Sequence, residues 1–357
     1  VAASAELATT LLTRLEALPP TRRDVSRAFA ALETAVRGNP DDQQLRLKLA
    51  EFCVRLGRHA DAQQHLARLT APRTAADDHA YPTTAVELLR ARAAIGTGDL
   101  PAAVEILATI VGFDPDSRAF VSPSGPPDSE TATALTLLAA IFATRLDDPA
   151  TADDVMRRLQ QVCPNDPQVW ITLARWHLER DDLEAATAAA AHSRTLAADD
   201  AETALITCEV ALAREDLTAA EQTVTQALAA HPHDERMHRA EALLAIRRGR
   251  PAEAVAAIRA GLAHQPESSG LQAMLAELLL TQGDHAAARD VIDALSAAEG
   301  RDTPRVTLLE GWCLVEERQW LRAKHVLEQL RPQVVSADQL RRQVDLLLAR
   351  CHGPLGA

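Results

Sequence analysis

Apolar side chains recur at helical spacing in pairs of short segments, and a turn separates the two segments of each pair. Residues 234–266 illustrate the pattern. Asp234 stands where a side chain can cap a first helix, and Gly249 marks the turn. Pro251 stands at the first position of a second helix, which tolerates the missing N–H, and Pro266 follows its end. The pattern predicts a two-helix hairpin whose apolar stripes are Met237, Ala240, Leu243, Leu244 and Ile246, then Ala254, Val255, Ile258 and Leu262.

This hairpin pattern repeats about every 34 residues. A fixed period of that length is typical of a solenoid of stacked hairpins, in which no single unit buries its own apolar face. We therefore expect one elongated all-α domain rather than two or three globular domains. We find no strand-like alternation. The period is most visible at the alanine that opens each second helix: Ala28, Ala62, Ala103, Ala152, Ala186, Ala220, Ala254, Ala288 and Ala323.

Two further positions recur with the same period. A small residue stands at the eighth place of each first helix: Ala50, Ala91, Ala140, Ala174, Cys208, Ala242, Ala276 and Gly311. A proline closes most hairpins, namely Pro40, Pro115, Pro164, Pro232 and Pro266, whereas Ala198 and Gly300 depart from the pattern. With Trp170 early in its first helix, the chain resembles the tetratricopeptide repeat family over about nine units, the first and last degenerate. The resemblance implies a right-handed superhelical solenoid.

We assign residues 1–335 to the solenoid and residues 336–357 to a C-terminal capping helix with a short tail. Ser336 and Gln339 form a capping box, and Val335 with Leu340 forms a hydrophobic staple. The apolar face of this helix is Leu340, Val344, Leu347 and Leu348.

Two insertions interrupt the repeats, at 71–83 and at 114–130. The second is rich in Pro, Ser and Gly and predicts a surface loop. With Phe113 and Phe120 nearby, this loop either folds back over the binding groove or serves as a plain disordered connector, which we favour.

Composition narrows the function classes. The formal net charge is −13, with 50 acidic against 37 basic residues, which disfavours binding to phosphate backbones. No run of 18 apolar residues occurs, so we expect no membrane insertion within this sequence. Arginine greatly outnumbers lysine and alanine is abundant, which suggests a bacterial, GC-rich genome.

The five cysteines are odd in number and form no C-x-x-C pair, so we expect core residues in a reducing compartment. This favours the cytoplasm; a periplasmic or envelope location is the alternative if a signal or anchor precedes Val1.

Candidate catalytic chemistry is sparse. His231, His233, Asp234 and His238 have a spacing that can in principle hold a metal. Because they fall at the regular loop between repeats, we favour a loop with a helix cap. We find no phosphate-binding glycine loop between a strand and a helix. We expect no metal, no cofactor and no enzymatic activity.

By resemblance, side chains of successive first helices line the concave face, where partners bind. An apolar row runs beside charges that alternate in sign, which suits an extended or helical peptide. The alternative is that these charges only pair with one another. Arg236, Arg239 and Arg305 are further candidates for binding an acidic group. The candidate partner-binding residues are Glu51, Arg92, Arg175, Glu209, Arg239, Glu277 and Trp312.

The function we expect is a non-catalytic scaffold or adaptor that holds a partner polypeptide in this groove. Two alternatives stay open: a membrane-tethered assembly factor of a bacterial envelope or secretion machine, and a peptide or acidic-ligand sensor module of a larger regulatory protein. The sequence does not separate them.

Overall fold

The computed structural model describes residues 22–69, 83–121, 128–300, 303–334 and 337–355. The chain divides into two compact units, Val1–Leu196 and Ala197–Ala357. The helices of the first unit are α1 (Arg22–Gly38), α2 (Gln43–Arg55), α3 (His59–Ala67), α4 (Thr83–Thr97), α5 (Leu100–Val111), α6 (Ser129–Thr144), α7 (Pro149–Val162), α8 (Pro167–Glu179) and α9 (Leu183–Leu196).

The second unit has the same organisation. Its helices are α10 (Ala201–Ala213), α11 (Leu217–Ala230), α12 (Glu235–Arg247), α13 (Pro251–His264), α14 (Ser269–Gln282), α15 (His285–Glu299), α16 (Pro304–Glu316), α17 (Trp320–Leu330) and α18 (Asp338–Leu355), with a 3₁₀ turn at Arg331–Val334. Within each unit every helix packs against the helices before and after it in sequence. First helices of neighbouring hairpins, such as α2 with α4 and α14 with α16, also contact each other. The predicted all-α stack of hairpins is confirmed.

The recurring alanines are the most completely buried positions of the fold. All nine alanines that open second helices have a relative exposure of 0%. A methyl group at this position lets two helix backbones approach closely, and a larger side chain has no space in a close-packed interior. The residue that repeats most regularly in sequence is therefore one that sets the distance between helices.

The eighth-place assignment is wrong in one hairpin. Ala139 of α6 has 0% exposure, whereas Ala140 is half-buried. The turn after α6 is one residue longer than in the other hairpins, since the N–H of Asp148 donates to the carbonyl of Phe142, six residues back, and that of Asp182 donates to His177, five residues back. The extra residue shifts the register of the first helix by one.

One hydrogen bond recurs at the tryptophan position of the repeat. The indole N–H of Trp170 donates to the carbonyl oxygen of the closing proline Pro164 at 2.7 Å. Other residue types at this place make the same bond six residues after their own proline: Arg46 with Pro40 (2.5 Å), His238 with Pro232 (3.0 Å) and Gln272 with Pro266 (2.8 Å). Ala204, six residues after Ala198, has no side-chain donor. In these four hairpins the bond joins the first helix to the loop that precedes it.

The described part of the 114–130 insertion is folded. Strands β1 (Phe113–Asp114) and β2 (Ala119–Phe120) pair in antiparallel register. The ring of Phe113 packs edge-on against Phe120 and Phe142, with centroid distances of 5.2 Å and 5.6 Å. Arg118 pairs with Asp148, the residue that caps α7, at 2.6 Å. The expectation of a plain connector, and of a chain without strands, is wrong for this short hairpin.

The C-terminal helix packs on the last hairpin. Val344, Leu347, Leu348 and Cys351 are buried with side chains of α17 and the 3₁₀ turn. Leu340 is half-buried. The capping box at Ser336, the staple residue Val335 and nearly all of the 71–83 insertion lie outside the described residues. Among the described residues, no helix is both long and apolar enough to span a membrane.

We predict that Trp170→Phe lowers the free energy of unfolding by about 1 kcal/mol, because the Pro164 carbonyl loses its donor. Trp320→Phe is the matched control, since the Trp320 indole N–H donates to no residue of the described chain. Urea denaturation followed by circular dichroism measures both. An equal loss of stability in the two variants would contradict a role for the hydrogen bond.

We predict that Gly311→Ala is less stable than Gly270→Ala by about 1–3 kcal/mol. A Cβ at Gly311 meets Leu327 Cδ2 at 2.6 Å, whereas at Gly270 the nearest atom is Glu235 Oε1 at 3.7 Å. The comparison cancels most of the gain in helix propensity that alanine brings at both positions. Thermal denaturation of the two variants measures the difference, and equal melting temperatures would contradict the packing argument.

Candidate functional site

A cavity of about 340 Å³ lies between three successive first helices of the first unit, α2, α4 and α6. Two candidates from the sequence, Glu51 of α2 and Arg92 of α4, lie in its wall. Val54, Leu88 and Leu89 supply its apolar lining. The structure thus brings together residues 41 positions apart, because α2 and α4 occupy equivalent places in neighbouring hairpins.

The third wall of the cavity comes from the end of the insertion. Ser129 and Glu130 line the cavity and form the first turn of α6. The Asp128 carboxylate caps this turn by accepting a hydrogen bond from the backbone N–H of Thr131 at 2.8 Å. Residues that we expected in a loop therefore lengthen a helix and close one side of the cavity. An Asp before the helix and an acidic residue in its first turn are helix-start signals, but Pro, Ser and Gly nearby favoured a loop.

The two arginines of the cavity are not neutralised by neighbouring side chains. The guanidinium groups of Arg55 and Arg92 make no hydrogen bond or ion pair with any residue in the described ranges. Arg90, two residues from Arg92, pairs instead with Glu87 at 2.7 Å. Glu51 already interacts with another residue of the chain. The cavity therefore presents two guanidinium groups without acidic partners, beside the carboxylates of Glu51 and Glu130. Sequence reasoning missed Arg55, although it lies one helical turn after Glu51.

In the second unit, the exposed face of α12 combines one arginine with two apolar side chains. Arg239 is exposed and its guanidinium contacts no acidic side chain of the described chain. Leu243 and Ile246 follow at helical spacing on the same face and are each 40% exposed. Both side chains belong to the apolar stripe that the sequence predicts for this helix. Exposed apolar side chains next to a cation are suited to contact with another polypeptide.

The remaining sequence candidates interact within the chain. Glu277 faces Arg305 of the next first helix at 3.7 Å. Arg175 and Glu209 are exposed and each interacts with another residue. The structure does not bring these residues to the α2–α4–α6 cavity.

Trp312 of α16 is half-buried. Its indole N–H donates to Glu316 at 3.0 Å, and its side chain packs against two apolar clusters, one of α12–α16 and one that includes α17 and α18. Glu316 also accepts a hydrogen bond from Arg350 of α18 at 2.7 Å, which lowers the pKa of the Glu316 carboxyl. Trp312 thus contributes to the packing of α18.

Arg236, a further candidate for binding an acidic group, is already paired. Its guanidinium contacts the Asp234 carboxylate at 2.7 Å and also pairs with Glu202 of α10. The hydrogen bond from Arg236 lowers the pKa of Asp234 and raises that of Arg236. Arg305 likewise pairs with Glu277. Of these three arginines, Arg239 alone has no acidic partner among the described residues.

Two side chains of the histidine cluster contact backbone carbonyl oxygens. His231 Nε2 lies 2.7 Å from the carbonyl oxygen of Asp199, and His238 Nε2 bonds to Pro232. His233 packs edge-on against His264, with ring centroids 4.6 Å apart. Nowhere in the described ranges do three or more His, Cys, Asp or Glu side chains converge as metal ligands would.

All five cysteines are buried and free. Burial raises the pKa of the Cys53, Cys208 and Cys313 thiols to about 11. Because the thiolate is the nucleophilic form, these side chains are poor nucleophiles at neutral pH. Their positions agree with the core role expected from the sequence.

Comparison with known proteins gives consistent matches. One tetratricopeptide repeat family model matches residues 22–81 and 245–313, a second matches 209–268 and a third matches 85–109. Together these segments cover just over half of the chain. No curated protein matches the chain in sequence.

Solved structures give the same fold. A tetratricopeptide repeat protein from Parabacteroides merdae aligns with a TM-score of 0.52 and 16% identity, over 74% of this chain and 98% of that chain. Yeast Tom70 aligns with a TM-score of 0.56 and 11% identity, over 99% of this chain and 89% of that chain. At these identities the likeness concerns the fold alone.

We predict that Arg236→Glu lowers the free energy of unfolding by about 1 kcal/mol at neutral pH, whereas Arg92→Glu leaves it unchanged within error. Only Arg236 loses ion pairs, and its replacement adds repulsion from Asp234 and Glu202. Because the folded-state pKa of Asp234 is lowered, the contribution of the pair is present above the unfolded pKa and disappears as the pH falls through the folded value. Urea titrations at neutral and acidic pH measure this. Equal destabilisation by both variants would contradict the distinction between paired and unpaired arginines.

Proposed function

Because the chain belongs to the tetratricopeptide repeat family, we propose that it is a non-catalytic scaffold that binds a partner polypeptide on the exposed face of its first helices. Stacking leaves this face of each hairpin without a neighbouring layer, so it is available for recognition. The groove of such repeats is suited to a peptide with apolar anchors and charged flanks.

One observation carries this proposal: in each unit an arginine without an acidic partner among the described residues lies beside apolar side chains on a first helix. In the first unit it is Arg92 with Leu88 and Leu89. In the second unit it is Arg239 with Leu243 and Ile246. An arginine that pairs inside the protein stabilises the fold, but these two contribute no such pair. Arginine is enriched among the interface residues in which binding energy is concentrated.

We also propose a reducing compartment, such as the cytoplasm, as the place of action. The support is that all five thiols are free and buried in the folded chain. Proteins of oxidising compartments more often contain disulfides.

We predict that Arg92→Glu combined with Arg239→Glu weakens capture of the natural partner at least tenfold. The matched control is Arg194→Glu with Arg259→Glu, which makes the same charge change at exposed arginines of second helices, one in each unit. Tagged wild type and both variants are incubated with lysate of the source organism, and bound proteins are quantified by mass spectrometry.

Circular dichroism verifies that both double variants keep their helicity. A partner that is lost equally from both, or from the control alone, would place binding on another face and overturn the proposal.

A further inference from the structure

We infer that the cavity between α2, α4 and α6 binds an acidic, apolar peptide segment, in which an Asp or Glu carboxylate lies next to an aliphatic or aromatic side chain. The inference rests on the proposed scaffold function and specifies the class of peptide that its first unit takes. It concerns only the cavity that Arg55, Leu89, Arg92 and Glu130 line.

The charge of the cavity selects for an anion. Arg55 and Arg92 come from two neighbouring first helices and point into one cavity, and neither has an acidic partner in the described ranges. Guanidinium groups bind carboxylates through parallel, charge-assisted hydrogen bonds. A basic peptide would meet two like charges at this point, and like charges in contact disfavour a wrong partner.

The two glutamates of the cavity do not cancel this preference. Glu51 already interacts with another residue of the chain. Glu130 lies in the first turn of α6, where the positive end of the helix dipole stabilises a carboxylate. Arg55 and Arg92 therefore remain the two charged groups of the lining without a partner of opposite charge in the described ranges.

The size and lining of the cavity select for apolar neighbours of that carboxylate. A volume of about 340 Å³ is near the lower end of ligand pockets, which span about 300–1,000 Å³. It takes a few side chains rather than a whole helix, which is about 10 Å wide. Val54 and Leu89, which are half-buried, offer contact area that a purely acidic segment leaves uncovered.

The test is selection of peptides from a random seven-residue display library by the full chain. One library presents the peptide between neutral linkers, and a second presents it with a free C-terminus, so that side-chain and terminal carboxylates are distinguished. We expect enrichment of Asp or Glu adjacent to Leu, Ile, Met or Phe. Enrichment of acidic residues between linkers assigns the side chain, and enrichment only at the free end assigns the terminus. Selection of basic or uncharged peptides would overturn the inference.

The consensus peptide, labelled with fluorescein, is then titrated by fluorescence anisotropy. We expect Arg55→Glu with Arg92→Glu to weaken its binding at least tenfold, and Arg55→Gln with Arg92→Gln to weaken it by a smaller factor. The control is Arg68→Glu with Arg194→Glu, exposed arginines of the same unit outside the cavity, which leaves the affinity within twofold. Unchanged binding to the double Arg55 and Arg92 variants would overturn the assignment to this cavity.

The two proposals fail in different ways. If the natural partner is lost from the Arg92→Glu and Arg239→Glu variant but the library yields basic or neutral peptides, only the peptide class is wrong. If neither lysate nor library yields a polypeptide that depends on first-helix residues, the scaffold function itself is wrong.

Discussion

The structure depends on one constraint: a two-helix hairpin of this size cannot bury its apolar face alone, so each hairpin must pack closely against the next. Nine alanines with no exposed surface show how this is met, since each opens a second helix where neighbouring backbones approach. The side-chain bonds to closing prolines, made by Arg46, Trp170, His238 and Gln272, add a directional contact in four hairpins. Different side-chain donors can form this hydrogen bond because the acceptor is always a backbone carbonyl oxygen.

The same constraint produces the candidate binding surface. Stacking buries one side of the first helices and leaves another side exposed, where Arg92, Arg239, Leu243 and Ile246 lie. On that side, arginines fall into two groups. Arg236 and Arg305 pair with acidic residues of neighbouring first helices, whereas Arg92 and Arg239 lie beside apolar side chains without an acidic partner in the described chain. The first group stabilises the stack, and the second group is available to a partner.

The period of the sequence predicts the hairpins and their alanines, whereas the candidate positions Glu51 and Arg92 came from the family resemblance. The period does not predict that Ala139, rather than Ala140, is the buried small residue of α6. One extra residue in the turn after α6 is not visible in the overall period. Nor does it predict the wall formed by Ser129 and Glu130, because Pro, Ser and Gly nearby favoured a loop over the cap at Asp128. The ion pair between Glu202 and Arg236 was partly predictable, because the two residues are 34 positions apart, which is one repeat period.

The most direct measurement of the central claim is site-specific photo-crosslinking to the captured partner. A photoreactive amino acid replaces Leu89 or Leu243 on first helices, and Arg194 or Arg259 on second helices. The account predicts crosslinks to the partner from the two first-helix positions and none from the second-helix positions. Crosslinks from the second-helix positions alone would contradict it.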